Sequence, residues 1–274
     1  MCEQAQPLID SGPAAKGRFE HSIRNVNRTI GARVSGDIAR RYGNDGLSKG
    51  LIEYAFTGSA GQSFGAFLTP GLRLTLEGEA NDYVGKGLGG GEIIIRPPAT
   101  SKFFSEKNVI LGNAVLYGAT GGRLFAAGRA GERFCIRNSG AVAVVEGSGD
   151  HCCEYMTGGV AVILGQTGRN FGAGMTNGVA FVLDPDDRLE QRYNPELVTL
   201  ERIIEPEDSN RLRALVEEHA EKTASIHARR LLKRWSESIL HFWKVVPLSQ
   251  VQKRAMITDR LETEITRKHT RAKL

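Results

Sequence analysis

Residues 140–184 read GAVAVVEGSGDHCCEYMTGGVAVILGQTGRNFGAGMTNGVAFVLD. Three short apolar runs stand behind glycines here, Gly140-AVAVVEG, Gly159-VAVILG and Gly178-VAFVLD, at steps of 19 residues. Toward the N-terminus the same grammar recurs in Gly71-LRLTLEG, Gly91-EIIIR, Gly112-NAVLYG and Gly131-ERFCIR, at steps of 20, 21 and 19. The two series are out of phase, as expected if each period holds more than one strand. The runs are short and rich in β-branched residues, which predicts strands rather than helices. The glycine before each run offers the positive φ that a sharp corner needs. One repeat cannot bury its apolar face alone, whereas stacked repeats close a continuous interior. The pattern predicts a mainly β chain: a right-handed parallel β-helix, that is a solenoid, with a C-terminal α-helical extension. A Greek-key sandwich is the runner-up, but its turns need no such regular spacing.

The glycines also mark a boundary. Twenty-six of the chain's 33 lie between Gly58 and Gly178, and none follows. The expected organisation is a linker or leader over 1–20, a glycine-rich β-helix domain over 21–185 with a short helix around Gly36 to Tyr42, and a helical extension over 186–274. In the extension, Ser209 to Lys222 places Leu212, Leu215, Val216 and His219 on one side. Ser225 to Trp243 does the same with Ala228, Leu231, Leu232, Trp235, Ile239 and Phe242, and Pro247 ends the pattern. This amphipathic pair is expected to pack against the solenoid and cover its end. Residues 251–274, with Lys253, Arg254, Arg260, Arg267 and Lys268, read as a basic, fraying helix with a solvated surface.

The composition is that of a soluble globular protein, with 41% hydrophobic and 24% charged residues. A net charge of +5 is too mild to argue for nucleic acid. No apolar stretch reaches the ~18 residues of a membrane span, and the N-terminus has no signal-peptide layout. The four cysteines, Cys2, Cys135, Cys152 and Cys153, suggest neither a disulfide frame nor a zinc site, so a reducing cytoplasm fits best.

Several motifs invite sharper readings. Gly85-Lys-Gly87-Leu-Gly89-Gly90 matches GxGxxG, but a strand follows it where a dinucleotide fold needs a helix. The neighbouring VGKG fails as a phosphate loop, because Ala80 and Gly87 stand at positions that require Gly and Ser or Thr. Asp150-His-Cys-Cys-Glu154 gathers metal-type side chains, yet alternate residues of a strand face opposite ways and no second cluster completes a shell. An N-terminal Cys2 could act as a nucleophile after loss of Met1, but nothing nearby would shape an oxyanion hole. Asn27-Arg-Thr29 matches a glycosylation sequon by chance. His219, His227 and His241 form no i, i+4 pair. Tyr83, Phe125 and Phe171 are expected to stack as a ladder in the interior. These readings leave no catalytic residue, no cofactor-binding residue and no metal ligand.

Taken together, Gly58-SAGQSFGAF, GEANDYVGKGLGGGEIIIRPP (78–98), residues 111–159, ILGQTGRNFGAGM (163–175) and the late FWKVVP closely resemble the C-terminal GXGXG, or β-helix, domain of glutamate synthase large subunits. The resemblance runs from about Arg24 to about Pro247. It implies an enzyme that moves the amide nitrogen of glutamine onto 2-oxoglutarate, giving two glutamates. In that family a cysteine glutaminase domain and an FMN barrel with an iron–sulfur cluster do the chemistry, joined by an ammonia tunnel. The β-helix is a non-catalytic scaffold that holds them apart. The implied partners are therefore the glutaminase and FMN-binding domains and a reductase small subunit, and FMN and the cluster belong to those other domains. Those domains are absent from these 274 residues. An excised fragment and a stand-alone subunit of a split glutamate synthase-like enzyme both stay open. A subunit beside a formylmethanofuran dehydrogenase is a further alternative. A β-helix polysaccharide lyase is another, although the acids such an enzyme needs, here Glu77, Glu92, Glu132 and Glu146, are scattered.

Overall fold

The computed structural model describes residues 1–252. Twelve strands follow one another: β1 (Lys16–Ile23), β2 (Leu51–Ala60), β3 (Leu72–Ala80), β4 (Glu92–Arg96), β5 (Val109–Leu111), β6 (Arg123–Ala126), β7 (Arg129–Ala130), β8 (Ser139–Val145), β9 (Thr157–Ile163), β10 (Asn177–Leu183), β11 (Val198–Arg202) and β12 (Phe242–Pro247). They form one sheet in the order β1-β2-β3-β4-β6-β8-β9-β10-β12-β11, with β5 attached to β3 and to β7. Pairing is parallel from β1 to β10, and antiparallel where β12 joins β10 and β11.

This corrects the expected fold. The chain forms a single open sheet of mixed direction, not a right-handed parallel β-helix. Two of the seven glycine-led runs, Gly112-NAVLYG and Gly131-ERFCIR, are not strands at all. FWKVVP, read as the end of a helix, is the antiparallel strand β12. β-branched Val245 and Val246 favour a strand, and antiparallel pairing with β10 and β11 fixes it.

Helices flank the sheet at both ends of the described chain. The expected linker over 1–20 is instead α1 (Cys2–Ser11) followed by most of β1, and Ala5 and Ile9 anchor α1 in the core. The short helix expected near Gly36 is α2 (Ala32–Tyr42). After β11 come α3 (Pro206–Thr223), α4 (Ile226–Lys233) and α5 (Trp235–Ser238). Pro206 begins α3 with Glu207 and Asp208 in its first turn, where a missing N–H costs nothing and negative charge suits the helix dipole. Leu212, Leu215, Val216, His219 and Ala220 form its buried stripe. The segment from 186 onward thus supplies β11 and β12 to the same sheet as well as helices. The basic tail, Lys253 to Lys268, lies outside the described residues.

The strands alternate between two cores. Leu74, Ile93, Leu124, Ala143, Ala161 and Ala180 face the larger one, beneath the turns. Phe125, Val144, Val162 and Phe181 face a second one, closed by Leu212, Leu215 and Val216 of α3, Ala228 of α4 and Phe242. Strands covered on both faces read as continuous apolar runs, as β8, β9 and β10 do. Strands β2 and β3, with one face open, alternate. The expected aromatic ladder does not form: Tyr83 is an exposed turn residue, Phe125 lies under α3, and Phe171 is in the other core. Between β2 and β3 the backbones approach so closely at the Gly58–Gly78 pair that a Cβ on Gly78 would stand 1.8 Å from Gly58 O.

Candidate functional site

A column of stacked turns closes the larger core. Six five-residue turns repeat one conformation: Ser63 to Phe67, Tyr83 to Gly87, Ala114 to Gly118, Arg133 to Arg137, His151 to Tyr155 and Asn170 to Gly174. In each, the first, third and fifth residues have φ between 52 and 72°. Alternating left- and right-handed residues turn successive N–H groups to opposite sides. The first and fifth therefore donate to the following turn, as in Tyr83 N to Asn113 O (2.8 Å) and Gly87 N to Tyr117 O (2.8 Å). The third donates to the preceding turn, as in Gly85 N to Phe64 O (2.9 Å) and Cys135 N to Val115 O (2.9 Å). The column is a second hydrogen-bonded ladder beside the β-sheet. Only six of its 18 left-handed positions are glycine. Each of the other twelve costs about 1–2 kcal/mol of backbone strain, offset by hydrogen bonds that leave few backbone groups unpaired.

The GxGxxG match at Gly85 to Gly90 is one of these turns and leads into β4. Its N–H groups are spent on neighbouring turns, so it does not fit the phosphate of a nucleotide or of FMN. The second turn of this kind with a visible G-x-G is Gly172-Ala-Gly174. In between, Leu116, Cys135 and Cys153 take the glycine's conformation, which is why the sequence reading missed the column. The recurrence of an exposed hydroxyl two residues after each of the last four turns, at Thr120, Ser139, Thr157 and Thr176, was the signal available.

Asp150 to Glu154 also belongs to the column. Cys152 and Cys153 are fully buried, with sulfurs 3.8 Å apart, and Cys135 lies buried one turn before. Burial pushes the Cys135 and Cys152 thiols up, while Cys153 is pushed up by its hydrogen bond to Cys135, with burial adding to it. Thiols that resist ionisation are inert and do not suit an iron–sulfur cluster, whose ligands are thiolates. His151 faces outward, beside Asn170 Nδ2 (3.1 Å) and Glu154. The Asp150 carboxylate is held below the ordinary value by the backbone N–H of Arg169 and by its side chain. Among the described residues no three His, Cys, Asp or Glu side chains are gathered to hold a metal.

The other singled-out residues have structural surroundings. Glu146 and His219 are fully buried where α3 and α4 meet the sheet, with His219 Nε2 3.4 Å from Glu146 Oε1. Ser225 donates to the same oxygen and caps α4 by accepting from Ala228 N (2.9 Å). Burial alone would raise the Glu146 carboxyl, but the hydrogen bond and charge of His219, with the Ser105 and Ser225 hydroxyls, bring it below the ordinary value. A serine and a histidine that both point at one carboxylate oxygen are not a nucleophile–base relay, in which the histidine stands between the other two. His227 lies 2.6 Å from Leu164 O, and His241 accepts at its backbone from Asp184 N. Glu77 pairs with Arg96, Glu92 with Arg73 and Lys222, and Glu132 is exposed on a turn. Cys2 begins α1 and packs partly against the core.

One open feature lies on the column. A groove of about 610 Å³ runs beside its last turns, between the hydroxyls of Ser139, Thr157 and Thr176 and the side chains of Arg137 and Tyr155. Tyr155 is 58% exposed, and its ring lies over Gly174, where a Cβ would meet it at 2.4 Å. Beside Arg137, Gly118 has open space in place of a side chain.

Among the described residues, no helix is long and apolar enough to cross a membrane. A family model described as "GXGXG motif" matches residues 1–248. The ferredoxin-dependent glutamate synthase of Pyropia yezoensis is 57% identical over 228 residues, which cover 83% of this chain and 15% of that protein. Ferredoxin-dependent glutamate synthase 2 of Synechocystis is 54% identical, over 84% of this chain and 15% of its own length. The NADH glutamate synthase of Schizosaccharomyces pombe is 51% identical, over 90% of this chain and 12% of its own length. The chain thus spans only a small part of the relatives that it matches. The stacked turns with glycine at alternate positions, and a match over residues 1–248, place the chain in the GXGXG family.

Proposed function

We propose that the chain is a non-catalytic structural part of a glutamate synthase, which converts glutamine, 2-oxoglutarate and reducing equivalents to two glutamates in the cytoplasm. In this reading it holds a glutaminase portion and an FMN-binding portion at a fixed separation, and FMN and an iron–sulfur cluster reside in those other portions. The observation that carries the reading is the 57% identity to a glutamate synthase over most of the chain. The structural half is supported by the two hydrogen-bonded ladders, which share one dry core and resist bending. Stiff walls between two active sites favour transfer of ammonia over its loss to water. Among the described residues, neither the Gly85–Gly90 turn nor the buried Cys135, Cys152 and Cys153 fit FMN or the cluster, and no chemical step is assigned to them.

The test is to assay purified chain for ammonia release from amide-labelled glutamine, then to repeat the assay on the complex isolated with its natural partners. The chain alone should release nothing above the uncatalysed rate, and the complex should make two glutamates per turnover. Glutamine hydrolysis by the chain alone would end the structural reading. A complex with no glutamate synthase activity would end the assignment to that enzyme.

A further inference from the structure

The groove beside the last turns has a chemistry of its own. Its polar lining consists of one guanidinium and four hydroxyls, and no carboxylate faces it. Ser139 Oγ donates to Ala119 O (3.1 Å), which leaves its lone pairs toward the groove. Among the described residues, the side chains of Arg137, Thr157, Thr176 and Tyr155 make no hydrogen bond or ion pair. The other arginines of this end are engaged: Arg133 faces Glu154 (3.5 Å), and Arg169 faces Asp150 (3.4 Å). Arg137 is therefore a fork of donors without an acceptor, and the groove around it selects for negative charge.

The shape favours polypeptide over a small anion. The hydroxyls come from three successive turns, spaced at about 4.8 Å, so they form a track rather than a pocket. Tyr155 stands on its rim, and exposed Tyr beside Arg is the pairing that anchors protein interfaces. The column carries further exposed rings at its other end, Phe67 at 53% and Tyr83 at 38%, roughly 15–20 Å from Tyr155 by the same spacing. The matched relatives are several times longer than this chain, so they contain polypeptide for the face to meet.

We propose that the groove formed by Arg137, Tyr155 and the Ser139–Thr157–Thr176 hydroxyl row docks an extended acidic segment of the remaining glutamate synthase polypeptide, with an Asp or Glu carboxylate bidentate on Arg137. The identity of the polypeptide rests on the function proposed above; the acidic chemistry rests on the groove alone. Thr157 and Thr176 donate to the segment's backbone carbonyls, and the Tyr155 ring packs against the segment's aliphatic carbons.

The experiment places the photo-crosslinking residue p-benzoylphenylalanine at Tyr155 in the protein expressed from its own locus. Adducts are mapped after irradiation of intact cells. The expected adduct is a glutamate synthase peptide with Asp or Glu within a few residues of the attachment point. Arg137→Glu should cut its yield at least tenfold, Arg137→Lys less than threefold, and Arg169→Glu, an exposed control, not at all. Circular dichroism melts of each variant check folding. Saturating sodium glutamate or 2-oxoglutarate in a lysate should not compete; competition would make a free dicarboxylate the occupant and overturn the proposal. No adduct, an adduct to a second copy of this chain, or yield indifferent to Arg137→Glu would also overturn it. An acidic peptide from a protein outside glutamate synthase would uphold the docking chemistry and sink the proposed function. A glutamate synthase peptide without acids would do the reverse.

Discussion

The face of the sheet that looks away from the turns changes character along its length. In β1 to β6 one register row reads Arg18, Glu53, Arg73, Glu92, Arg123, alternating in sign strand by strand. The next row on the same face begins Glu20, Ala55, Thr75 and continues Ile94, Phe125, Val144, Val162, Phe181. One backbone pattern thus carries a self-neutralising polar surface at one end and an apolar floor at the other. Helices α3 to α5 lie on the apolar end, α3 reaches over Glu92 and Arg123 through Lys222 and Glu218, and the charged row stays open over β1 to β3. The placement of the helices is therefore written in the strands beneath them as much as in the helices themselves, since an apolar stripe packs where it finds an apolar floor.

The sharpest test puts the same substitution on one row in each half. Val162→Lys forces an ammonium under α3, where Val162 is fully buried against the helix cluster. It should cost at least about 4 kcal/mol, visible as a large fall in the urea midpoint. Ala55→Lys, opposite Glu20 and Thr75 on the open half, should stay within about 0.5 kcal/mol. Equal effects would show that the helices do not define the difference.

The buried carboxylate that ties the helices down comes next. Glu146→Ala leaves His219 and Ser225 without their acceptor and should cost about 3 kcal/mol. The pH dependence follows from direction alone. The folded Glu146 carboxyl titrates below its ordinary value of 4.5, so its contribution is present above that pH and is lost as pH falls through the folded value. Glu146→Gln should therefore lower stability at neutral pH while flattening the acid limb of a stability–pH curve. Wild-type and Gln curves that run parallel below pH 5 would remove this carboxylate from the account.

On the open half the effects are smaller. Glu53 lies between Arg18 and Arg73, with Arg73 Nη1 3.9 Å from Glu53 Oε2. Glu53→Lys sets three positive charges side by side and should cost about 1 kcal/mol, roughly halved in 0.5 M salt. A cost indifferent to salt would mean that packing, not charge alternation, holds that row.

How much of this was legible in the sequence follows from the same contrast. Strands β3, β4, β8, β9 and β10 were readable because apolar runs behind glycines have few other solutions. The α3 stripe was readable because Leu212, Leu215, Val216 and His219 keep helical spacing. Phe242 to Pro247 was misread because Trp235, Ile239 and Phe242 also fit a helix, and only pairing with β10 and β11 decides for a strand. The runs after Gly112 and Gly131 looked like strands because Val115, Leu116, Phe134 and Ile136 are apolar. The same residues point into the core from a backbone that alternates in hand, and nothing in side-chain chemistry announces that. The groove was illegible for a related reason: Arg137, Tyr155 and Thr176 meet only when turns 18 to 19 residues apart are stacked.

The turn column borders both halves and should be indifferent to which one it touches, because its cost lies in the backbone. Ser63 holds φ 62° in the first turn, beside the open half, and its side chain makes no hydrogen bond among the described residues. Glycine adopts that conformation without a Cβ penalty but loses more freedom on folding. Ser63→Gly should therefore stabilise by only about 0.5 kcal/mol. Asparagine, which tolerates the left-handed region, should fall between glycine and serine, and Ser63→Val should destabilise because a β-branched residue is least at home there. The order Gly, Asn, Ser, Val in thermal midpoint is the readout. If valine matched serine, the column would not be under the strain that its twelve non-glycine residues imply, and the hydrogen bonds between turns would have nothing to offset.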